Sequence, residues 1–322
     1  MYKIYDNWPN LAKQAYDSDL ESANFENIDH IVFAGMGGSG AIGDLFSSIL
    51  SKTNIHITLV KGYLLPKTVD KNTLVVTTSV SGNTVETLTV LESAQKLDCQ
   101  IIAFCSGGKM KQYCVDEKID FRKINLIHSP RASLITYVYS ILNVLHNILP
   151  IDKNDILSSI DSLFEIHKQI SSNNLTDSNP AINLANWIDG IPLIYFPHGL
   201  QPTAIRLKSS LQENSKIHAM TEDVIEACHN GIVAWETTST VQPILLRGTD
   251  DYIKTKERFS IIEQYFIENN IDFKIINSMP GNILTKIISS IYLFDYVSIF
   301  RAVLSQIDPS PVKSIDFIKS QL

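Results

Sequence analysis

Apolar positions in this chain fall into short runs separated by longer amphipathic stretches, and the alternation persists along its length. The runs at 31–34, 56–60, 74–78 and 101–104 are too short for helices and rich in Val, Ile and Leu, so each predicts a strand. Between them, 41–50 and 84–96 carry helical spacing. Strands and helices alternating at this interval predict right-handed βαβ units and a parallel sheet. The uninterrupted Leu74-Val75-Val76 fits a strand covered on both faces. A long apolar helix is expected at 132–149, opened by Ser129-Pro130-Arg131.

A polar stretch at 152–183, rich in Asp, Ser and Asn after Gln169, reads as a connecting helix and linker. A second series then begins: a strand at 191–196, a helix from Gly199 through Leu211, a strand at 241–246, a helix at 254–269 and a strand at 272–276. Met279-Pro280-Gly281 opens another long apolar helix, at 283–304. Strand, loop, helix, strand, helix, strand and a proline-led apolar helix thus occur twice, which predicts an internal duplication. The expected partition is an N-terminal domain at 1–151, a connector at 152–184 and a C-terminal domain at 185–322.

Bulk properties narrow the possible roles. A chain of 322 residues with 44% hydrophobic and 19% charged content has the composition of an ordinary globular protein with room for two cores. A net charge of −7 argues against nucleic acid or an anionic membrane surface as a partner. No run of about 18 apolar residues stands out, so no membrane-spanning helix is expected. The start, Met1-Tyr2-Lys3-Ile4-Tyr5-Asp6, is too polar for a signal peptide, and the expected location is the cytoplasm. Cys99, Cys105, Cys114 and Cys228 show no redox or zinc spacing and read as reduced thiols. The eight histidines form no ligand pair, so no metal and no cofactor is expected.

The candidate chemistry lies in two loops that follow apolar strands. The first is Gly35-Met36-Gly37-Gly38-Ser39-Gly40; the second is Ser79-Val80-Ser81-Gly82-Asn83-Thr84, followed by Glu86-Thr87. Glycines admit an anion close to the backbone, and helix-start N–H groups with Ser/Thr hydroxyls can hold a phosphate without a cation. The first loop matches G-x-G-x-x-G in letters. A dinucleotide fold would also need an acid at the end of the next strand, where the chain reads Leu59-Val60-Lys61-Gly62. A P-loop would need a closing Lys-Ser/Thr pair, and a hydrolase elbow at Ser39 would leave the second loop unexplained. One N-cap at Asn83 or Thr84 needs one hydroxyl, whereas Ser79, Ser81 and Thr84 together resemble a phosphate cup.

These loops, with Pro130-Arg131-Ala132, Glu213-Asn214-Ser215-Lys216 and His229-Asn230, resemble the sugar isomerase (SIS) family across essentially the whole chain. Within it they resemble most the bifunctional phosphoglucose/phosphomannose isomerases. The resemblance implies an α/β fold of two SIS-type subdomains, each a mainly parallel sheet flanked by helices in a flavodoxin-like three-layer sandwich. It implies that Ser39, Ser79, Ser81 and Thr84 bind the 6-phosphate of a hexose, with Gly38 approaching the sugar. Arg131 would steady the enediolate oxygens, and Glu213 would move a proton between C1 and C2. His229 would open the sugar ring from the neighbouring subunit of a homodimer, and Lys319 would assist, with Lys313 as its rival. Lys208, His198 and His218 are read as structural.

The chemistry suits those residue types. Ring opening needs one proton donor and one acceptor near neutral pH, the enediolate step needs one carboxylate, and the developing oxyanion needs a fixed cation. Such a proton shuttle requires no metal. Two other readings stay open: a non-catalytic sugar-phosphate sensor, and an isomerase of another sugar phosphate.

Overall fold

The computed structural model describes residues 1–321. The chain folds as two compact units, Asn7–Asp161 and a second built from Met1–Asp6 with Ser162 onward. The boundary therefore falls inside the connecting helix, where the sequence placed a separate connector at 152–184. The N-terminal residues, expected in the first domain, pack with the second unit. In chain order the helices are α1 (Tyr2–Asp6), α2 (Trp8–Tyr16), α3 (Gly38–Leu50), α4 (Val85–Ala94), α5 (Gly108–Asp116), α6 (Leu134–Val144), α7 (Lys153–Ile170), α8 (Pro180–Trp187), α9 (Gln201–Ser210), α10 (Val224–Ala227), α11 (Ile253–Glu268), α12 (Ile283–Leu304) and α13 (Lys313–Ser320). The strands are β1 (His30–Ala34), β2 (His56–Val60), β3 (Thr73–Ser79), β4 (Gln100–Cys105), β5 (Asp120–Lys123), β6 (Ile191–Phe196), β7 (Met220–Asp223), β8 (Val241–Arg247) and β9 (Lys274–Asn277).

The Asn7–Asp161 unit is a parallel sheet in the order β2-β1-β3-β4-β5. β1 and β3 are buried along their whole length, as their unbroken apolar runs require. Val32 and Val75 pack against Val90 and Ala94 of α4, while Ala103 and Cys105 pack against Met110 and Cys114 of α5. α6 packs against α2 and α3, and the Trp8 indole N–H donates to the Ala132 carbonyl at 3.0 Å. The cysteines are free thiols, and burial pushes Cys99 up to about 11 and Cys114 up to about 12, so both are neutral and inert near pH 7.

The helix expected at 132–149 is shorter at both ends. At its start the Ser133 hydroxyl accepts from the Ile127 N–H at 2.9 Å and reaches the Ser129 carbonyl at 3.0 Å, holding 127–133 as a turn. At its end the Val144 carbonyl is taken by the Ala23 N–H at 2.9 Å. The likeness between the two proline-led helices therefore does not extend to length: α6 has 11 residues and α12 has 22.

The second unit carries the sheet β7-β6-β8-β9, again parallel. Its order repeats that of the first four strands of the other sheet, as the duplication predicts. α12 packs against α1, α8 and α9. Contrary to the expectation that no stretch would qualify, α12 is long and apolar enough to cross a membrane by composition; 78% of its apolar window is buried within the protein. It also carries Asp295, which pairs with Arg206 of α9 at 2.6 Å, both side chains almost fully buried. A core helix satisfies the same composition test as a membrane span.

Candidate active site

Both glycine loops leave the C-terminal ends of β1 and β3, adjacent strands at which the strand order reverses. In an open parallel sheet that reversal leaves a crevice between diverging connections, where ligands bind. α3 begins at Gly38 and α4 at Val85, so two helix N-termini with unspent N–H groups meet the loops. The loops are joined: the Val80 N–H donates to the Ser39 hydroxyl at 3.2 Å. Within the second loop the Ser79 hydroxyl lies 3.0 Å from that of Thr84 and accepts from the Gly82 N–H at 3.1 Å. The Ser81 hydroxyl accepts from the Asn83 N–H at 3.2 Å. In these bonds Ser39 and Ser81 are acceptors, which leaves their hydroxyl hydrogens to donate to an anion.

Arg131 comes to the same place through the backbone. A Cβ built on Gly38 would stand 3.2 Å from the Pro130 carbonyl carbon and 3.4 Å from the Arg131 nitrogen. A side chain at this position would press the two segments apart by a few tenths of an ångström. Arg131 is 4% exposed, in the turn that precedes α6. Gly38, Ser39, Ser79, Ser81, Thr84 and Arg131 thus share one unit and one end of its sheet.

Gly82 is the most constrained of these positions. Its φ is +70°, and a Cβ there would lie 1.8 Å from the Gly107 carbonyl oxygen. The loop is buttressed from that side by the Met110 N–H on the Gly82 carbonyl at 2.9 Å and by the Lys109 N–H on Asn83 Oδ1 at 3.0 Å. Gly82→Ala is expected to lower the unfolding free energy by about 1–2 kcal/mol from backbone strain alone, and to raise KM for a sugar phosphate. Urea denaturation and steady-state kinetics check it; unchanged values of both would contradict the assigned loop geometry.

One supporting pair escaped the sequence reading. Lys61, noted there only because it stands where a ribose-binding acid would be, contacts the Asp44 carboxylate at 2.6 Å. Its stem passes behind the first loop, with Cε 3.5 Å from a Cβ built on Gly40. The pair links the end of β2 to the first turns of α3. Nothing in a separation of 17 residues signals it.

In the second unit Glu213 sits on a π-helical turn, Leu211–Ser215, that extends α9. The wider turn points Asn214 and Ser215 inward: Asn214 Nδ2 donates to the Ser298 hydroxyl at 2.8 Å and the Ser215 hydroxyl to the Ser298 carbonyl at 2.7 Å. Glu213 is left half-buried. Inserted π turns recur at functional sites. Arg206, about two helical turns before it, donates to Asp295 from Nε at 2.9 Å and from a terminal nitrogen at 2.6 Å, and the Ser210 hydroxyl donates to the same carboxylate at 2.6 Å. Burial disfavours the guanidinium charge, yet the Asp295 carboxylate outweighs it and holds Arg206 above its ordinary pKa.

His229 is exposed in the turn after α10, where its N–H donates to the Glu226 carbonyl at 2.9 Å. Asn230 Nδ2 donates to Glu226 at 2.8 Å, and Gly231 lies against the Glu222 carboxylate. Burial, and then the charge of Glu226, push Glu222 above the usual carboxylate range. Lys319 and Lys313 are exposed on α13, which among the described residues has no buried side chain. Glu213, His229 and the two lysines thus stand on three separate elements of their unit.

Two family models match: a SIS domain over residues 24–145 and a bacterial phospho-glucose isomerase C-terminal SIS domain over residues 177–322. The chain is 31% identical, over all of its own length and 98% of the other, to a bifunctional phosphoglucose/phosphomannose isomerase of Caldicellulosiruptor bescii. It is 29% identical to a D-glucosamine-6-phosphate 4-epimerase of Sulfolobus acidocaldarius, over 72% of each chain. In structure it is similar to the C-terminal domain of glucosamine-fructose-6-phosphate aminotransferase from Francisella tularensis, with a TM-score of 0.72 at 16% identity, covering 96% of this chain and 97% of that one. That likeness concerns the fold.

Proposed function

The chain belongs to the bifunctional phosphoglucose/phosphomannose isomerase family, and we propose that it interconverts glucose 6-phosphate and mannose 6-phosphate with fructose 6-phosphate. The observation that supports this reading is the pair of joined, hydroxyl-bearing glycine loops at the strand-order reversal, with Arg131 packed against the first of them.

The roles follow from the chemistry each group can perform. Ser39, Ser79, Ser81 and Thr84, with the N–H groups at the starts of α3 and α4, bind the 6-phosphate dianion; the dipoles of both helices favour it at these N-termini. Gly38 leaves room for the sugar. Ring opening moves a proton from the anomeric hydroxyl to the ring oxygen, for which His229 and Lys319 serve as acid and base. Glu213 then removes the C2 proton of the open aldose. The electron pair forms the C1–C2 double bond of a cis-enediolate, and the carbonyl electrons move to O1. Arg131 stabilises that oxyanion. Transfer of the O2 proton to O1, with return of the abstracted proton from Glu213 to C1, gives the ketose. No step calls on a metal or cofactor.

The proposed assembly is a cytoplasmic homodimer in which His229 serves the neighbouring subunit's site; its exposure on a turn suits such a role. Nucleic acid and membrane have no part in it. The ring-opening role is given to Lys319, with Lys313 retained as rival.

One relative favours a second reading, an isomerase or epimerase of an amino-sugar phosphate. Substrate profiling separates the two. Purified protein is expected to form fructose 6-phosphate from both glucose 6-phosphate and mannose 6-phosphate, and to act weakly on glucosamine 6-phosphate. The reverse order of activities would favour the second reading, and ligand binding without turnover of any of the three would favour a sensor.

A further inference from the structure

Lys216 closes the turn that carries Glu213, and its backbone is left-handed there, with φ 59° and ψ 29°. Such a residue at the end of a helix is ordinarily glycine or asparagine, because a side chain is strained in that conformation. Strain of this kind persists where surrounding contacts over-determine it, and it clusters at functional sites. Here two contacts of the Lys216 ammonium hold it. The ammonium of Lys216 folds back to donate to the carbonyl of Glu213 itself, and it also donates to the Pro311 carbonyl at 2.7 Å. Pro311 lies two residues before α13, the helix carrying Lys313 and Lys319.

An ammonium with three donors can satisfy two carbonyls from different segments at once; glycine or asparagine in the same backbone position could not span them. The segment before α13 is itself ordered by the Ser310 N–H on the Asp308 carboxylate at 2.9 Å. That bond, together with the charge of Lys216, holds Asp308 below the usual carboxylate range. α13 has no buried side chain of its own among the described residues, so bonds made just before it bear on where its lysines stand.

The geometry points to Lys216 as a positioning residue: its ammonium ties the segment leading into α13 to the turn that carries Glu213, holding base and ring-opening lysine in fixed relation. The assignment rests on the roles proposed above for Glu213 and the α13 lysine. Phosphate binding belongs to loops on other elements, so loss of the tether acts on turnover rather than on substrate capture.

The test compares wild type with Lys216→Asn and Lys216→Arg. Asparagine accepts the left-handed backbone, so the fold is kept while the ammonium is lost. Lys216→Asn is expected to lower kcat on glucose 6-phosphate by about 10–100-fold while KM changes by less than about 2-fold, as misplacement of a catalytic group does. Trypsin should cut after Lys313 faster in Lys216→Asn, followed by mass spectrometry, and Lys216→Arg should restore most of kcat. An unchanged kcat in Lys216→Asn overturns the proposal whether or not cleavage quickens, as does a fall in kcat/KM carried by KM alone. Failure of the underlying reading would show separately, as a Glu213→Gln variant that still turns over.

Discussion

Glu213→Gln is expected to reduce kcat by about 10²–10⁴-fold, the range in which a positioned general base contributes. The substitution keeps size and shape, and the turn should survive it. Asn214 and Ser215 fix that turn to Ser298 through bonds of 2.8 and 2.7 Å that do not involve the Glu213 carboxylate. The thermal transition should therefore stay near wild type, and KM should change little, since the loops proposed to hold the phosphate are untouched. Glu213→Asp retains the carboxylate but withdraws it by a methylene, and should fall between the two. Steady-state kinetics on both epimers checks these outcomes. A Gln variant within a few-fold of wild type would remove Glu213 from the proton transfer.

The largest effect on stability is expected from Asp295→Ala. Asp295 is fully buried on α12, whose other charged residues, Lys286 and Arg301, lie near its two ends, and it receives two hydrogen bonds from Arg206 and one from Ser210. Removing it leaves the guanidinium buried without its counter-charge, a change that costs about 3–5 kcal/mol. Against a total stability of about 5–15 kcal/mol, that is enough to unfold a marginal domain. Paired replacement, Arg206→Met with Asp295→Leu, removes both charges and should recover most of the loss. Trp187 and Trp235 lie in this unit and Trp8 in the other, so urea denaturation followed by fluorescence of chains lacking Trp8 reports the second unit. A loss below about 1 kcal/mol for Asp295→Ala would contradict the assigned role of the pair. The site is affected as well: Ser298, which anchors the Glu213 turn, donates to the Asp295 carbonyl at 2.7 Å.

Much of this architecture is legible in the sequence because burial is written into composition. β1 and β3 have no exposed residue, so their apolar runs stand out, and the loops after them combine glycine with hydroxyls in a way that few structures besides an anion site require. The strands that escape notice are edge strands. β5 reads Asp120-Phe121-Arg122-Lys123 and β7 reads Met220-Thr221-Glu222-Asp223, short and polar because one side faces solvent. The early end of α6 is equally silent, since it is set by Ala23, far away in the chain. α12 shows the limit of composition: Asp295 in the middle of a mostly apolar helix gives no hint that Arg206 lies opposite.

The candidate site divides in the same way. Its groups with chemistry of their own are visible as motifs, whereas the groups that hold them are not. The π turn beneath Glu213 has no sequence signature. The left-handed Lys216 is less visible still, because the residue that ordinarily marks such a position is missing. The Lys61–Asp44 contact at 2.6 Å and the Asn214–Ser298 bond at 2.8 Å join residues that only the fold brings together.

The most direct measurement is NMR of the purified protein turning over glucose 6-phosphate in deuterium oxide. Proton transfer through an enediolate predicts fructose 6-phosphate with deuterium at C1, increasing as the substrate cycles, and its disappearance in Glu213→Gln. Fructose 6-phosphate formed without deuterium at C1, however long the reaction runs, would mean a direct hydride shift and would contradict the account. So would the absence of product.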